Sequence, residues 1–355
     1  MKGLVLCGGK GTRLRPLTHT AAKQLVPVAN RPILFYVLDN LSEAGVRDIG
    51  IIVSPETGDA IRDAVGSGER WGLRVEYLLQ EKPLGLAHAV KLARPFLGLS
   101  PFVMYCGDNL IGGGIKKFCE DFERNNSAAL ILLKQVNNPS SFGVAEIDDK
   151  GRVMRLVEKP KDPKSDLALV GVYFLSPKIH SSVQEIRPSQ RGELEITDAL
   201  QRLLDGGERI ASYTLQGWWL DTGKKDDLLA ANTTVLDEWA KRRVMGTVDE
   251  ESSVIGRVVT ERGSCVRRST VRGPVIVGGD VTIENSFVGP FTSIGSGSRI
   301  VNSVIEHSVI LPEASIENVD RLEDSLIGRG SRVFKAQGTH HAYRLLVGDD
   351  SVIGL

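Results

Sequence analysis

The chain has 355 residues, 41% hydrophobic and 25% charged, with 44 basic residues balancing 44 acidic ones. That length exceeds what one hydrophobic core usually supports, so two domains are expected, and the charge balance excludes a global field that would hold nucleic acid or an anionic membrane. Cys7, Cys106, Cys119 and Cys265 lack metal-ligand spacing; with no secretory leader pattern and no apolar run of membrane-spanning length, they predict reduced thiols in a cytoplasmic protein.

The first predicted strand is Lys2–Leu6, and it runs straight into LCGGKGTRLRPLT, Leu6 through Thr18. Further strands are expected at Asp48–Val53, Arg74–Leu79 and Phe102–Cys106, the last entering CGDN. Between them Arg31–Ala44, Asp59–Val65 and Leu84–Ala93 carry apolar residues at helical spacing. The order βαβαβαβ predicts an α/β domain around a mostly parallel sheet. Ligands of such sheets gather at the carboxyl ends of the strands, where both LCGGKG and CGDN fall.

Asn232–Arg243 reads as a helix joining two parts. From about Thr247 to Val333 the texture changes to SSVIGR, STVRGP, VIVGGD, SFVGPF, TSIGSG, SVIEHS, SVILPE and SLIGRG. A repeat of about six residues, each with an aliphatic residue, predicts a parallel β-helix that stacks those positions inward, here expected to be left-handed. The expected division is therefore 1–237 for the first domain, 238–246 for a linker, 247–335 for the hexapeptide repeats and 336–355 for a tail. The tail's His340–His341 pair reads as a solvated turn. His307, the one histidine within the repeats, is too little to support acyl transfer by the β-helix, whose expected role is assembly into a homo-oligomer or docking onto the first domain.

Three readings compete for GGKGTRLRP. A Walker-type loop requires G-x-x-x-x-G-K-[ST], and Gly9-Lys10 is followed by Gly11. A dinucleotide fingerprint requires G-x-G-x-x-G and a ribose-binding acid about twenty residues later, and neither is present. What remains is a loop whose glycines let backbone N–H groups approach phosphate oxygens, with Arg13 as a fork donor and Lys23 as a second cation. Pro16 discourages an immediate helix, so the loop is expected to lie across its ligand.

These residues carry a resemblance. LCGGKGTRLRPLT followed by KQLVPVANRP resembles the signature of sugar-1-phosphate nucleotidylyltransferases, and Lys23-Gln24-Leu25 is similar to the form found in the glucose-1-phosphate thymidylyltransferases among them. QEKPLGLAHA (80–89), GDN (107–109), FGVAEID (142–148), VEKP (157–160), RGELEITD (191–198) and WLDTG (219–223) follow in that family's order. The matching stretches cover almost all of residues 1–237, and the β-helical extension resembles a longer subfamily.

The resemblance implies a mixed, mostly parallel Rossmann-like nucleotidyltransferase sheet. It also implies attack of a sugar 1-phosphate oxygen on the α-phosphorus of a nucleoside triphosphate, with pyrophosphate released. The implied substrates are dTTP and glucose 1-phosphate, in the making of dTDP-glucose for deoxysugar biosynthesis. Arg13 and Lys23 would neutralise the polyanions, and Asp108 and Asp221 would hold one Mg2+. Gly8, Gly9, Gly11 and Thr12 fall in the phosphate loop; Gln80 and Gly85, with Gln24 nearby, would read the base. Asn109, Gly143, Glu158, Lys159, Leu169 and Arg191 would meet the hexose and its phosphate. Phe142 stands where the family often has Tyr, and Trp219 is expected either near the site or in the core. Uridylyl transfer and a non-catalytic sugar-nucleotide-binding role are the alternatives, with Lys23-Gln24 favouring thymine.

Overall fold

In the computed structural model of the chain the described residues are 1–9, 11–15, 17–18 and 22–335; Pro16 and the 336–355 tail with its histidine pair lie outside them. Contacts divide the chain into two compact units, one of Met1–Lys10, Ala22–Leu25 and Ile33–Asp221, the other of Gly11–Ala21, Val26–Pro32 and Thr222–Leu355. No helix among the described residues is long and apolar enough to cross a membrane.

The first unit is built on a nine-stranded sheet. Four strands, β1 (Lys2–Leu6), β2 (Asp48–Val53), β3 (Arg74–Leu79) and β4 (Phe102–Cys106), pair in parallel in the order β4-β1-β2-β3. Their bounds coincide with the four runs predicted from sequence. β1, β2 and β4 read as near-continuous apolar runs because both faces are covered. Within β1 the alternation sorts the faces: Val5 joins one core with Leu34, Leu38 and Leu41 of the helix Ile33–Glu43. Leu4 and Leu6 join the other, with Ala87 and Val90 of the helix Leu86–Leu92. Beyond β4 the sheet turns antiparallel: Leu167–Leu175 pairs with β4, with Ala129–Gln135 and with Gly143–Ile147. The sheet is thus mixed, with its parallel half carrying the glycine loop.

In the second unit the expected helix is displaced. It spans Lys225–Trp239, with Asp226 and Asp227 in its first turn where acidic side chains suit the helix dipole, and it ends as Ala240 turns to ψ 117°. Lys241, Arg242 and Arg243 therefore lie beyond it. Arg31–Pro32, expected to begin the preceding helix, instead pairs with Pro27–Val28 in a hairpin whose turn residues Ala29 and Asn30 have φ of 49° and 59°.

From Arg243 onward, short strands stack into three parallel sheets of six, six and four strands, the arrangement of a left-handed parallel β-helix. Val258 lies beside Val275 and Val275 beside Thr292, while Ser293 lies beside Val309. Each coil thus advances 17 or 16 residues, short of three full hexapeptides. Val266, Val275, Ile283, Ile294, Ile300 and Ile310 fill the interior.

One corner carries ladders of polar side chains. Arg268, Asn285, Asn302 and Asn318 turn there with φ of 45–58°, a conformation asparagine tolerates. Asn285 Nδ2 donates to Asn302 Oδ1 at 2.8 Å and Asn302 Nδ2 to Asn318 Oδ1 at 2.9 Å. Beside them the amides of Ser269, Ser286 and Ser303 each donate to the serine hydroxyl one coil earlier, at 3.0–3.1 Å. His307 is occupied structurally: its Nε2 lies 2.8 Å from Thr233 Oγ1 on the long helix, and its Nδ1 contacts Asp324.

Candidate active site

The site of the first unit begins where β1 and β4 end side by side. Gly107 N donates to Leu6 O at 3.0 Å, and a Cβ on Gly107 would lie 2.7 Å from Cys7 Sγ, so the two strand exits touch through backbone. After β4 the chain runs Gly107-Asp108-Asn109 directly into the strand Asn109–Ile111. That strand pairs antiparallel with Trp219–Asp221, with Asp221 beside Asn109. The pairing brings Asp221 beside the turn that holds Asp108, 113 positions earlier in sequence.

Lys23 reaches this point from the short 3-10 turn Lys23–Leu25, and its ammonium pairs with Asp108 Oδ2. It passes beside Gly9, where a Cβ would stand 3.2 Å from Lys23 Cε. Burial disfavours the ammonium, but the Asp108 carboxylate outweighs it, with Asp221 adding to the pull, and the Lys23 pKa lies above its ordinary value. Burial likewise works against the Asp108 carboxylate, yet Lys23 and the Asn109 amide hold its pKa below the usual range. Both groups therefore remain charged at neutral pH.

A hydrogen-bonded chain extends outward from this pair. Asn109 Nδ2 donates to Asp108 Oδ1 at 3.1 Å, Trp219 Nε1 donates to Asn109 Oδ1 at 2.6 Å, and the Trp219 ring meets Phe142 edge-on with centroids 5.2 Å apart. Phe142 leads into Gly143, which the family resemblance assigns to the sugar. A Cβ on Gly143 would meet Thr197 Cγ2 at 2.7 Å and Glu158 Oε2 at 3.1 Å, with Leu169 Cδ1 at 3.7 Å. Glu158 accepts from Thr197 Oγ1 at 3.1 Å and from Arg191 Nη1 at 3.3 Å, and Lys159 Nζ is 3.9 Å away. Gly143, Glu158, Lys159, Leu169 and Arg191 thus lie in one cluster.

Gln80 is buried, and its Oε1 would lie 2.7 Å from a Cβ on Gly8, so its amide packs closely against the loop after β1. Gln24 is fully buried beside Gly107, and neither atom of its amide has a hydrogen-bond partner. Gly85, at φ 103°, has a structural reason of its own: a Cβ would strike the Leu194 backbone, 2.8 Å from its nitrogen and closer still to its oxygen. Gly11, Thr12 and Arg13 belong to the second unit. Gly11 turns with φ 63° into the 3-10 turn Thr12–Leu14, and Thr18 Oγ1 donates to Gly11 O at 2.6 Å. Arg13 is exposed, and its charge opposes the upward shift that burial gives Asp227 on the long helix.

Thr197 and His88 were missed as site residues. Both stand inside quoted motifs, RGELEITD and QEKPLGLAHA, but their partners Glu158 and Gln80 come from other elements, which sequence spacing does not show. Trp219 belongs to the site through its bond to Asn109.

Among the described residues no group of three or more His, Cys, Asp or Glu side chains forms a metal cage. Asp221, on the strand Trp219–Asp221, and Asp108, in the turn just before the strand it pairs with, fit a hard divalent cation that takes its remaining ligands from phosphate oxygens and water.

The sequence profile described as nucleotidyl transferase matches residues 2–238. A glucose-1-phosphate thymidylyltransferase from Streptomyces antibioticus is 52% identical over 354 residues, covering 99% of each chain. The low-salt glycan biosynthesis nucleotidyltransferase Agl11 of Haloferax volcanii is 44% identical over 358 residues, covering 100% of each. A Bacillus anthracis protein assigned as a glucose-1-phosphate thymidylyltransferase, solved in complex with sucrose, superposes with a TM-score of 0.63 at 36% identity, covering 66% of this chain and 94% of that one. With the profile spanning the whole sheet and the Lys23–Asp108 pair at its strand ends, this chain belongs to the nucleotidyl transferase family.

Proposed function

We propose that the chain transfers a thymidylyl group from dTTP to α-D-glucose 1-phosphate, giving dTDP-glucose and pyrophosphate. The observation that carries this reading is the buried Lys23–Asp108 pair with Asp221 on the adjoining strand, in a chain that aligns end to end with an enzyme of that name. A phosphate oxygen of the sugar attacks the α-phosphorus, an O–P bond forms, and the bond to the β-phosphate oxygen breaks. No side-chain nucleophile is needed, because the attacking oxygen is already anionic. The work of the protein is to align two polyanions and offset their charge.

Lys23 and Arg13 supply positive charge to the phosphates, and the backbone around Gly8, Gly9, Gly11 and Thr12 approaches their oxygens. Asp108 and Asp221 would hold Mg2+, which supplies Lewis-acid neutralisation of phosphate charge when bound. Glu158, steadied by Thr197 and Arg191, accepts hydrogen bonds from sugar hydroxyls, with Asn109, Lys159, Leu169 and Gly143 beside the hexose. Gln80 meets the base edge, with Gln24 and Gly85 nearby. The β-helix serves assembly into a homo-oligomer, and the enzyme works in the cytoplasm.

Pyrophosphate release, measured with purified protein and magnesium across dTTP, UTP, dCTP and GTP and a panel of hexose 1-phosphates, tests the reading. Fastest turnover is expected with dTTP and glucose 1-phosphate. Preference for UTP would move the assignment to uridylyl transfer, and preference for GTP with mannose 1-phosphate would overturn it.

A further inference from the structure

The Gln80 amide is held between two neighbours, His88 and the loop at Gly8. A carboxamide presents an acceptor on one side and two donors on the other, and the two ends occupy nearly the same space. Its backbone is fixed, since Gln80 N donates to Val53 O at 2.8 Å and the residue is only 6% exposed. The direction of the amide is therefore the remaining freedom.

His88, on the helix Leu86–Leu92, faces one end of it. Its Nδ1 lies 2.8 Å from Gln80 Nε2. In this arrangement the amide nitrogen donates and Nδ1 accepts, which calls for the neutral tautomer with its proton on Nε2. Partial burial, and then the charge of Lys91, push the His88 pKa below its ordinary value, which favours that neutral form. With Nε2 held by His88, Oε1 points toward Gly8 in the loop after β1.

We propose that His88 is a positioning residue that orients the Gln80 amide so that its oxygen faces the nucleobase, and that this selects pyrimidines with an N3–H, thymine and uracil, against cytosine. The inference rests on the nucleotidyl-transfer reading with Gln80 at the base. A thymine or uracil N3–H donates to Oε1, whereas cytosine turns an N3 lone pair toward the same oxygen and is repelled. Without the acceptor at position 88 the amide turns over, its NH2 group faces the base, and the barrier against cytosine falls.

The test compares wild type, His88→Ala and His88→Asn, with kcat and KM measured for dTTP and for dCTP at saturating glucose 1-phosphate. Asn places an oxygen acceptor near the position of Nδ1. His88→Ala is expected to raise the KM for dTTP about tenfold, the worth of one well-placed hydrogen bond at the upper end of its range. It should leave kcat within about twofold and lower the dTTP-over-dCTP preference about tenfold or more, and His88→Asn should restore most of both. An unchanged preference in His88→Ala, or the same loss in His88→Asn as in His88→Ala, overturns the role. Calorimetric binding of dTTP and dCTP to the same three proteins separates this from the functional reading. Wild type that binds dTTP selectively without turnover would refute the proposed reaction and leave His88 to be judged by the binding ratios, under the same criteria.

Discussion

Replacing Lys23 by Met keeps the aliphatic stem and removes the charge, which isolates the electrostatics of the pair with Asp108. The two side chains are 16% and 11% exposed, so Asp108 would be left as a buried carboxylate without its cation. Breaking a buried pair in this way costs about 3–5 kcal/mol, a fall in melting temperature of roughly 6 °C or more. Lys23→Met/Asp108→Asn, which removes both charges, should recover much of that loss. The pH dependence supplies a sign. In wild type the Asp108 pKa is lowered, so its contribution is complete above the unfolded value of about 4 and is lost as pH falls through the folded value. Lys23, with a raised pKa, adds stability that is lost only as pH climbs through its folded value, above the unfolded value of about 10.4.

In Lys23→Met only hydrogen bonds, chiefly that from the Asn109 amide, oppose the effect of burial on Asp108; its folded pKa should rise above the unfolded one, and stability should decrease as pH rises from about 4 toward neutrality. Urea unfolding followed by fluorescence at pH 5 and pH 8 reads this directly. Greater stability of Lys23→Met at pH 8 than at pH 5, or single and double variants within about 1 kcal/mol of wild type, would refute the buried pair. Turnover in Lys23→Met should fall about 10²–10³-fold, the usual cost of one group that neutralises developing charge.

Asp221→Asn should reduce turnover at least as much while leaving the fold intact, and EDTA should silence wild type until magnesium is returned; activity that survives the chelator would discard the two-aspartate metal site. Asn232 on the long helix accepts from Ala29 N at 2.9 Å and from the Ser293 hydroxyl, and donates to Phe291 O at 3.0 Å. Asn232→Ala orphans these groups and should cost about 2–4 kcal/mol; a thermal melt that does not move would show that water replaces the amide.

The parallel strands were legible because apolar runs between turn residues leave few alternatives. Phe102–Cys106 runs directly into Gly107, and Lys2–Leu6 into Cys7 and then Gly8, and the structure ends both strands there. The long helix was misplaced because Leu236–Arg243 ends in a basic run that resembles a helix terminus, while the actual start at Lys225 is marked by two aspartates that also suit a loop. The repeat of about six residues was legible because aliphatic spacing marks the walls of the β-helix; the coil length of 16 or 17 residues emerges only from the strand register. Asp108 and Asp221 were named through motifs. Their meeting depends on the pairing of two three-residue strands, Asn109–Ile111 and Trp219–Asp221, too short to carry a periodic signal. The Gln80–His88 bond was hidden because a turn and a helix start intervene between its members.

The serine and asparagine ladders join each turn of the spiral to the next by the same bonds. Such a stack contains no internal stop signal and resembles a one-dimensional crystal. Growth or loss of 16 or 17 residues keeps every rung aligned, whereas an insertion of any other size must be expelled at a corner as a loop.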